Sequence, residues 1–227
     1  VGFDGFSALK MQLAVELSRQ TPASYMASVE PSDSTSTVLD KIFSANIKAL
    51  QDTVSRIDRT AFAAVTELLS KANVIHIYGI GTSAPMVTEL HHRLMLLGFQ
   101  VHNYTDLVSV RLSTMNLKPG DVAFGISHTG RTETTVDALT LSKEAGAATV
   151  CLTSYAGSPI TQISDHVLTV FCDETRYPIE ASSARIAQTC VIDALVAALS
   201  TKCYEKATQR SRQIHDLLES IRYQKRR

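Results

Sequence analysis

Two segments of the chain share one chemical grammar. The first reads Val74-Ile75-His76-Ile77-Tyr78-Gly79-Ile80-Gly81-Thr82-Ser83, and the second Asp121-Val122-Ala123-Phe124-Gly125-Ile126-Ser127-His128-Thr129-Gly130-Arg131-Thr132. Each is a short apolar, β-branched run that empties into a loop of Gly, Ser and Thr, and each loop then opens a helix. A helix N-terminus carries unsatisfied backbone N–H groups and the positive end of the helix dipole, so a loop of this kind suits an anion. Two of them on one parallel sheet would form a cup for a phosphate. Neither loop offers a nucleophile beside a base, or a cluster of metal ligands. The chemistry expected is recognition of a phosphorylated small molecule.

Two other readings compete. Gly79-Ile80-Gly81-Thr82-Ser83-Ala84 fits the G-x-G-x-x-A dinucleotide fingerprint, and Asp106 lies near where an acidic ribose partner would sit. A dinucleotide site, however, has no need of a second hydroxyl-rich phosphate loop. The plainer alternative is that Gly79 and Gly81 only permit a tight turn, with Ser83 capping the next helix. For one loop that would suffice; for two matching loops the phosphate cup is the better account.

The elements that must hold these loops follow from periodicity. Apolar residues three and four apart predict a helix over Phe6–Leu17. Arg19 to Ser36, with Pro22, Pro31 and many Ser and Thr, reads as a linker. Thr37–Asp58 is an amphipathic helix with Leu39, Ile42, Phe43, Ile47, Leu50, Val54 and Ile57 on one face, and Ala61–Ala72 a second helix. Strands are expected at Val74–Tyr78, Gln100–Tyr104, Val122–Ile126, Ala148–Leu152 and His166–Phe171. Helices are expected at Ala84–Leu97, Leu107–Met115, Thr132–Ala145, a short one from Pro159, and a helix-rich segment over Ser182–Tyr223. Within it, Ile186–Leu199 is apolar nearly all round, as a buried helix would be. Strand and helix alternating in this way imply a three-layer αβα sandwich on a five-stranded parallel sheet, flavodoxin-like or Rossmann-like. Ligands in such sheets sit at the carboxyl ends of the strands, where both loops fall.

Composition narrows the setting. Twenty-two basic residues balance 22 acidic ones across 227 residues, so the body is not a general binder of nucleic acid. The one basic cluster, Lys225-Arg226-Arg227, reads as a solvated end. Cys151, Cys172, Cys190 and Cys203 show no metal-binding or paired spacing, and Cys151 and Cys190 are expected in the core. No secretory signal and no apolar run long enough for a bilayer is evident, which leads to the expectation of a reduced, cytoplasmic protein with no membrane partner. A chain that opens at Val1 in mid-pattern is expected to be a fragment. No metal or cofactor is expected.

Gly81-Thr82-Ser83 followed by Ser127-His128-Thr129-Gly130-Arg131-Thr132 resembles the G-x-S and S-x-S-G-x-T motifs of the SIS (sugar isomerase) domain. The likeness spans about Thr37 to Lys206 and includes Leu117-Lys118-Pro119-Gly120-Asp121-Val122 at the entry to the third strand. It implies that Gly81, Thr82, Ser83, Ser127, His128, Thr129, Gly130 and Thr132 bind a phosphosugar. Two positions depart from the pattern. Thr129 stands for a Ser and keeps the hydroxyl; Arg131 stands for a common Glu and adds positive charge, favouring an anionic ligand or a pairing with a neighbouring subunit.

A narrower likeness is to RpiR-type transcriptional regulators. Val1-Gly2-Phe3-Asp4-Gly5-Phe6-Ser7-Ala8-Leu9-Lys10 resembles the end of their helix-turn-helix module, and Glu180-Ala181-Ser182-Ser183-Ala184-Arg185-Ile186-Ala187-Gln188 their S-S-x-R-x-A-Q segment, with Asp193 following. The resemblance implies residues 1–20 as the remnant of a DNA-binding module, 21–36 as linker and 37–227 as the sensing domain. It implies a sugar phosphate effector contacted also by Glu180 and Arg185, operator DNA read by the mostly missing N-terminal module, and no catalysis. Excess apolar surface on Thr37–Asp58 and Ile186–Leu199 leads to the expectation of a homodimer or homotetramer. Asp193, in an apolar helix, is expected to be buried and hydrogen-bonded.

The alternative is a phosphosugar aldose–ketose isomerase. Moving a proton between adjacent carbons needs a base close to the sugar, and Glu174, Glu180 and His128 are the candidates. A third possibility is an SIS-type scaffold without ligand. His91 and His92 are adjacent on a helix and point in different directions, so they do not form a two-ligand metal pair.

Overall fold

The structure, a computed structural model, describes residues 29–172 and 182–221. The expected helix Phe6–Leu17, the module remnant 1–20, Glu174, Glu180 and the Lys225-Arg226-Arg227 cluster lie outside the described residues.

The chain opens with two helices, α1 (Thr35–Arg56) and α2 (Arg59–Lys71). Helix α1 starts two residues ahead of expectation because the Ser34 side chain accepts from the Thr37 N–H at 3.1 Å and caps it. Asp58 does the same for α2, accepting from Thr60 and Ala61. Then the alternation begins: β1 (Ile75–Tyr78), a 3₁₀ turn (Gly81–Ser83), α3 (Ala84–Leu96), β2 (Val101–Tyr104), α4 (Leu107–Thr114), β3 (Val122–Ile126), α5 (Glu133–Glu144), β4 (Ala148–Thr153), α6 (Pro159–Ile163) and β5 (His166–Thr169). Two helices close the described chain, α7 (Ser182–Lys202) and α8 (Tyr204–Ile221), separated at Cys203.

The five strands form one parallel sheet in the order β2-β1-β3-β4-β5. Tyr78 pairs with Tyr104 on one side and Gly125 on the other. Side chains alternate across the sheet and build two cores. On one face Ile75, Ile77, Phe124, Val150 and Leu152 meet Leu69 of α2, Leu90 and Leu94 of α3, and Val191, Leu195 and Leu199 of α7. On the other, Tyr78, Ala123 and Cys151 meet Val110 of α4, Ala138 and Leu139 of α5, and Ile160 of α6. Strands β1 and β3 are buried on both faces, which is why they read as continuous apolar runs. The three-layer αβα sandwich is as expected.

Three details correct the sequence reading. Ser183–Lys202 is in fact long and apolar enough to cross a membrane by length and composition; here that apolarity serves packing, since Val191, Leu195 and Leu199 fill the core. The same helix is not buried all round. Cys190 is exposed rather than in the core, and Asp193 is exposed and pairs with Arg93 at 3.2 Å. Finally, β5 ends at Thr169, and Phe171 is held instead by Thr53 of α1. The Phe171 N–H donates to Thr53 Oγ1 at 2.9 Å, and that hydroxyl donates to the Phe171 carbonyl at 3.2 Å.

The expected apolar stripe of α1 is divided. Ala49 and Thr53 are buried, whereas Leu39, Phe43, Ile47 and Val54 are all more than half exposed. Between α1, α2 and α7 runs an apolar groove lined by Leu50, Val54, Phe62, Cys190 and Ala194.

Candidate functional site

The strand order decides where a ligand can sit. Strands β1 and β3 are neighbours, yet the helix after β1 packs on one face of the sheet and the helix after β3 on the other. The chain therefore diverges at their carboxyl ends and leaves a crevice, the usual ligand position in an open α/β sheet. Both Gly/Ser/Thr loops open there.

The first loop is shaped by two glycines. At Gly79 a Cβ would lie 2.7 Å from the Ile126 carbonyl oxygen and 2.8 Å from Val87 Cγ2, so only glycine lets β1 end against β3 and α3. Gly81 has φ 61°, in the left-handed region where glycine is unstrained. The Ser83 N–H donates to the Ile80 carbonyl at 3.2 Å and closes the turn. Ser83 is buried at the base of α3, while Gly81 and Thr82 are exposed. Its side chain makes no capping hydrogen bond to α3.

The second loop is tied more tightly. Ser127 is 1 % exposed. Its Oγ accepts from the Gly130 N–H at 3.1 Å and lies 3.1 Å from Thr132 Oγ1. Thr132 stands at the N-cap of α5 but makes no capping bond, its hydroxyl being turned to Ser127. The contrast with α1, α2 and α4 is instructive. Ser34, Asp58 and Asp106 each bond the first-turn N–H groups of their helices. The helices that open from the cup are not capped by side chains, so the anion-attracting end of each is left to the crevice.

A third wall, absent from the sequence reading, comes from the loop after β4. Ser154 Oγ meets His128 Nδ1 at 2.8 Å, and the Tyr155 ring stands edge-on to the imidazole at 5.5 Å. The His128 carbonyl accepts from Thr153 Oγ1 at 3.1 Å and from the Ser154 N–H at 2.9 Å. Gly130, at φ 64°, packs beneath Ser158 and Ile160, and its carbonyl accepts from the Ile160 N–H at 3.0 Å. The signal was present in the sequence. Thr153-Ser154-Tyr155-Ala156-Gly157-Ser158 is a third strand-to-helix loop of Ser, Thr and Gly.

The structure thus brings Gly81, Thr82, Ser83, Ser127, His128, Thr129, Gly130 and Thr132 to one end of the sheet. Thr129 is exposed, with Oγ1 accepting from the Arg131 N–H at 3.4 Å, and Arg131 is exposed at the rim. Arg185 lies exposed on the first turn of α7, and among the described residues no hydrogen bond or ion pair joins its guanidinium to the cup. Asp106 caps α4, its Oδ1 accepting from Val108 and Ser109, which holds its carboxyl below the ordinary carboxylate range.

Comparison with known proteins agrees with this geometry. The SIS domain family matches residues 68–198. An uncharacterized HTH-type transcriptional regulator of Caldanaerobacter subterraneus is 34 % identical over 204 residues, 90 % of this chain and 72 % of that protein. The HTH-type transcriptional regulator HexR of Escherichia coli is 30 % identical over 222 residues, 97 % of this chain and 76 % of its own length. Among solved structures, NanR of Vibrio vulnificus, complexed with ManNAc-6P, superposes with a TM-score of 0.77 at 24 % identity, covering 98 % of this chain and 78 % of that one. The sugar isomerase domain of an RpiR transcription factor from Sphaerobacter thermophilus gives 0.73 at 26 % identity, over 79 % of this chain and 98 % of that one. With its fold, its paired loops and its relatives in agreement, the chain belongs to the SIS-domain family and to the RpiR-type HTH transcriptional regulators that carry this domain.

Proposed function

We propose that the chain is the effector-sensing part of an RpiR-type regulator, binding a sugar phosphate in the cup and controlling genes through an N-terminal helix-turn-helix module. The observation that carries this is the convergence of two helix N-termini, from opposite faces of the sheet, on the hydroxyls of Ser83, Ser127 and Thr132. Neutral donors and two dipoles suit a phosphate dianion without metal or covalent chemistry. That NanR was solved with ManNAc-6P supports the ligand class.

In this reading Gly81, Thr82, Ser83, Ser127, Thr129, Gly130 and Thr132 hold the phosphate, and His128, Glu180 and Arg185 read the sugar. Residues 1–20 are the end of the DNA-binding module, 21–36 the linker, and the protein works in the cytoplasm. The exposed apolar residues of α1 and the groove beside α7 pair with a second copy. Ligand then shifts the population between two arrangements of different DNA affinity.

The test is a thermal-shift titration against a panel of phosphosugars and the bare sugars, repeated with Ser127→Ala. A ligand that binds the native state raises the melting temperature as its concentration rises, logarithmically once it exceeds Kd. Stabilisation by a phosphosugar but not its bare sugar, lost in Ser127→Ala, supports the sensor. Conversion of the phosphosugar in the same samples would make the protein an isomerase instead.

A further inference from the structure

At the amino end of the sheet, opposite the cup, a polar cleft of about 480 Å³ separates the turn after α3 from α8. That volume lies in the range of small-molecule sites. Its walls carry two cations, Lys206 and Arg210, one helical turn apart on α8, and among the described residues no carboxylate lines it.

Both side chains are solvent-exposed and lean over the turn after α3. Gly98, at φ 80°, presents a bare backbone to their stems: a Cβ there would lie 3.6 Å from Lys206 Cε and 3.8 Å from Arg210 Cδ. The Lys206 ammonium rests over the Phe99 ring, 4.9 Å from its centroid, and an Arg210 N–H donates to Gln213 Oε1 at 3.3 Å. Lys41, Lys48, Lys71, Arg93, Arg111, Lys143 and Lys202 each reach a carboxylate. Lys206 and Arg210 do not, among the described residues, and neither do Lys118, Arg131 and Arg185; what sets the pair apart is that both line one cleft. Like charges at this helical spacing repel, and that cost is relieved when an anion sits between them.

We infer that this cleft is a second anion site, distinct from the cup, that takes a small organic phosphate. The ammonium and guanidinium hold the phosphate, and the Gln209 and Gln213 amides, able both to donate and to accept, face the polar body of the ligand. A site 98–101 on one wall and α8 on the other would couple its occupant to how α8 packs on α3.

Inorganic pyrophosphate is the probe. Amide NMR of the whole chain is followed during titration of the wild type, of a Lys206→Ala/Arg210→Ala variant, of a charge-keeping Lys206→Arg/Arg210→Lys variant, and of Ser127→Ala. The expected result is saturable shifts at residues 98–101 and 206–213. These weaken at least tenfold with both cations removed, survive the charge-keeping exchange, and are unaffected by Ser127→Ala. Shifts confined to residues 79–83 and 127–132, or equal affinity without the two cations, overturn the inference. So does perturbation of the cleft by duplex DNA of arbitrary sequence but not by pyrophosphate, which would make it a nucleic-acid backbone contact.

Discussion

Ser127 Oγ and Thr132 Oγ1 stand 3.1 Å apart, across a loop whose turn is pinned by the Gly130 N–H donating to the same serine oxygen. One buried hydroxyl thus holds both the shape of the loop and the residue at the start of α5. Ser127→Ala should cost about 1 kcal/mol of stability, the worth of a typical intramolecular hydrogen bond. It should weaken phosphosugar binding by roughly tenfold or more, equivalent to about 1.4 kcal/mol. Urea denaturation and calorimetric titration separate the two effects. Unchanged affinity in the variant would remove this loop from the site.

His128 offers a sharper division. Its Nδ1 meets Ser154 Oγ at 2.8 Å, which fixes the ring beside Tyr155. Ser154→Ala should release the imidazole and lower affinity for the phosphosugar severalfold, while leaving the affinity for inorganic phosphate as it was. Competition between the two ligands reads the ratio directly. Equal loss for both would mean that Ser154 supports the phosphate loop and not the sugar contact.

The glycines of the cup differ in what they tolerate. Gly130 has φ 64°, and a Cβ there would lie 2.7 Å from Ser158 Cβ and 2.9 Å from Ile160 Cγ2. Gly81 has φ 61° with nothing within 4 Å. Gly81→Ala should cost only the left-handed backbone penalty, about 1–2 kcal/mol. Gly130→Ala adds overpacking and should cost about 2–5 kcal/mol in all. Chemical denaturation of the two variants side by side checks the order.

The exposed apolar residues of α1 predict self-association. Phe43 is 61 % exposed and Ile47 53 %. A Phe43→Lys/Ile47→Asp variant should keep its circular dichroism and run as a monomer in light scattering, where the wild type runs as a dimer or tetramer. A wild-type monomer at micromolar concentration would end this reading of the face.

A pH dependence follows from His76. Burial, with help from His102 and against a smaller pull from Asp121, depresses it from 6.5 to about 4. The unfolded chain therefore binds the extra proton first. Stability is fully present above about pH 6.5 and falls as the pH drops toward 4, by about 2 kcal/mol between pH 7 and 5. Burial also lowers His91, which adds in the same direction. His76→Gln should flatten the curve between these pH values by the His76 share. Urea midpoints at pH 7 and pH 5 measure it, and an unchanged slope would refute the assignment.

The sequence by itself determined the local alternation and the chemistry of each loop. Val122–Ile126 reads as a strand because a both-faces-buried strand must be a continuous apolar run, and Gly79 and Gly130 read as turns because only glycine meets their geometry. Boundaries slipped where a tertiary partner intervened, as at Phe171, whose backbone bonds Thr53 instead of extending β5. Tertiary structure alone decided that β1 lies between β2 and β3, and with it that two loops 44 residues apart from Ser83 to Ser127 open into one crevice. Chain order does not encode which strands are neighbours; long-range pairing does. It decided also that Cys190 and Asp193 face outward and that Ser154 stands against His128. Composition shows which residues are apolar or polar, but the direction of each side chain depends on what the rest of the chain packs against it.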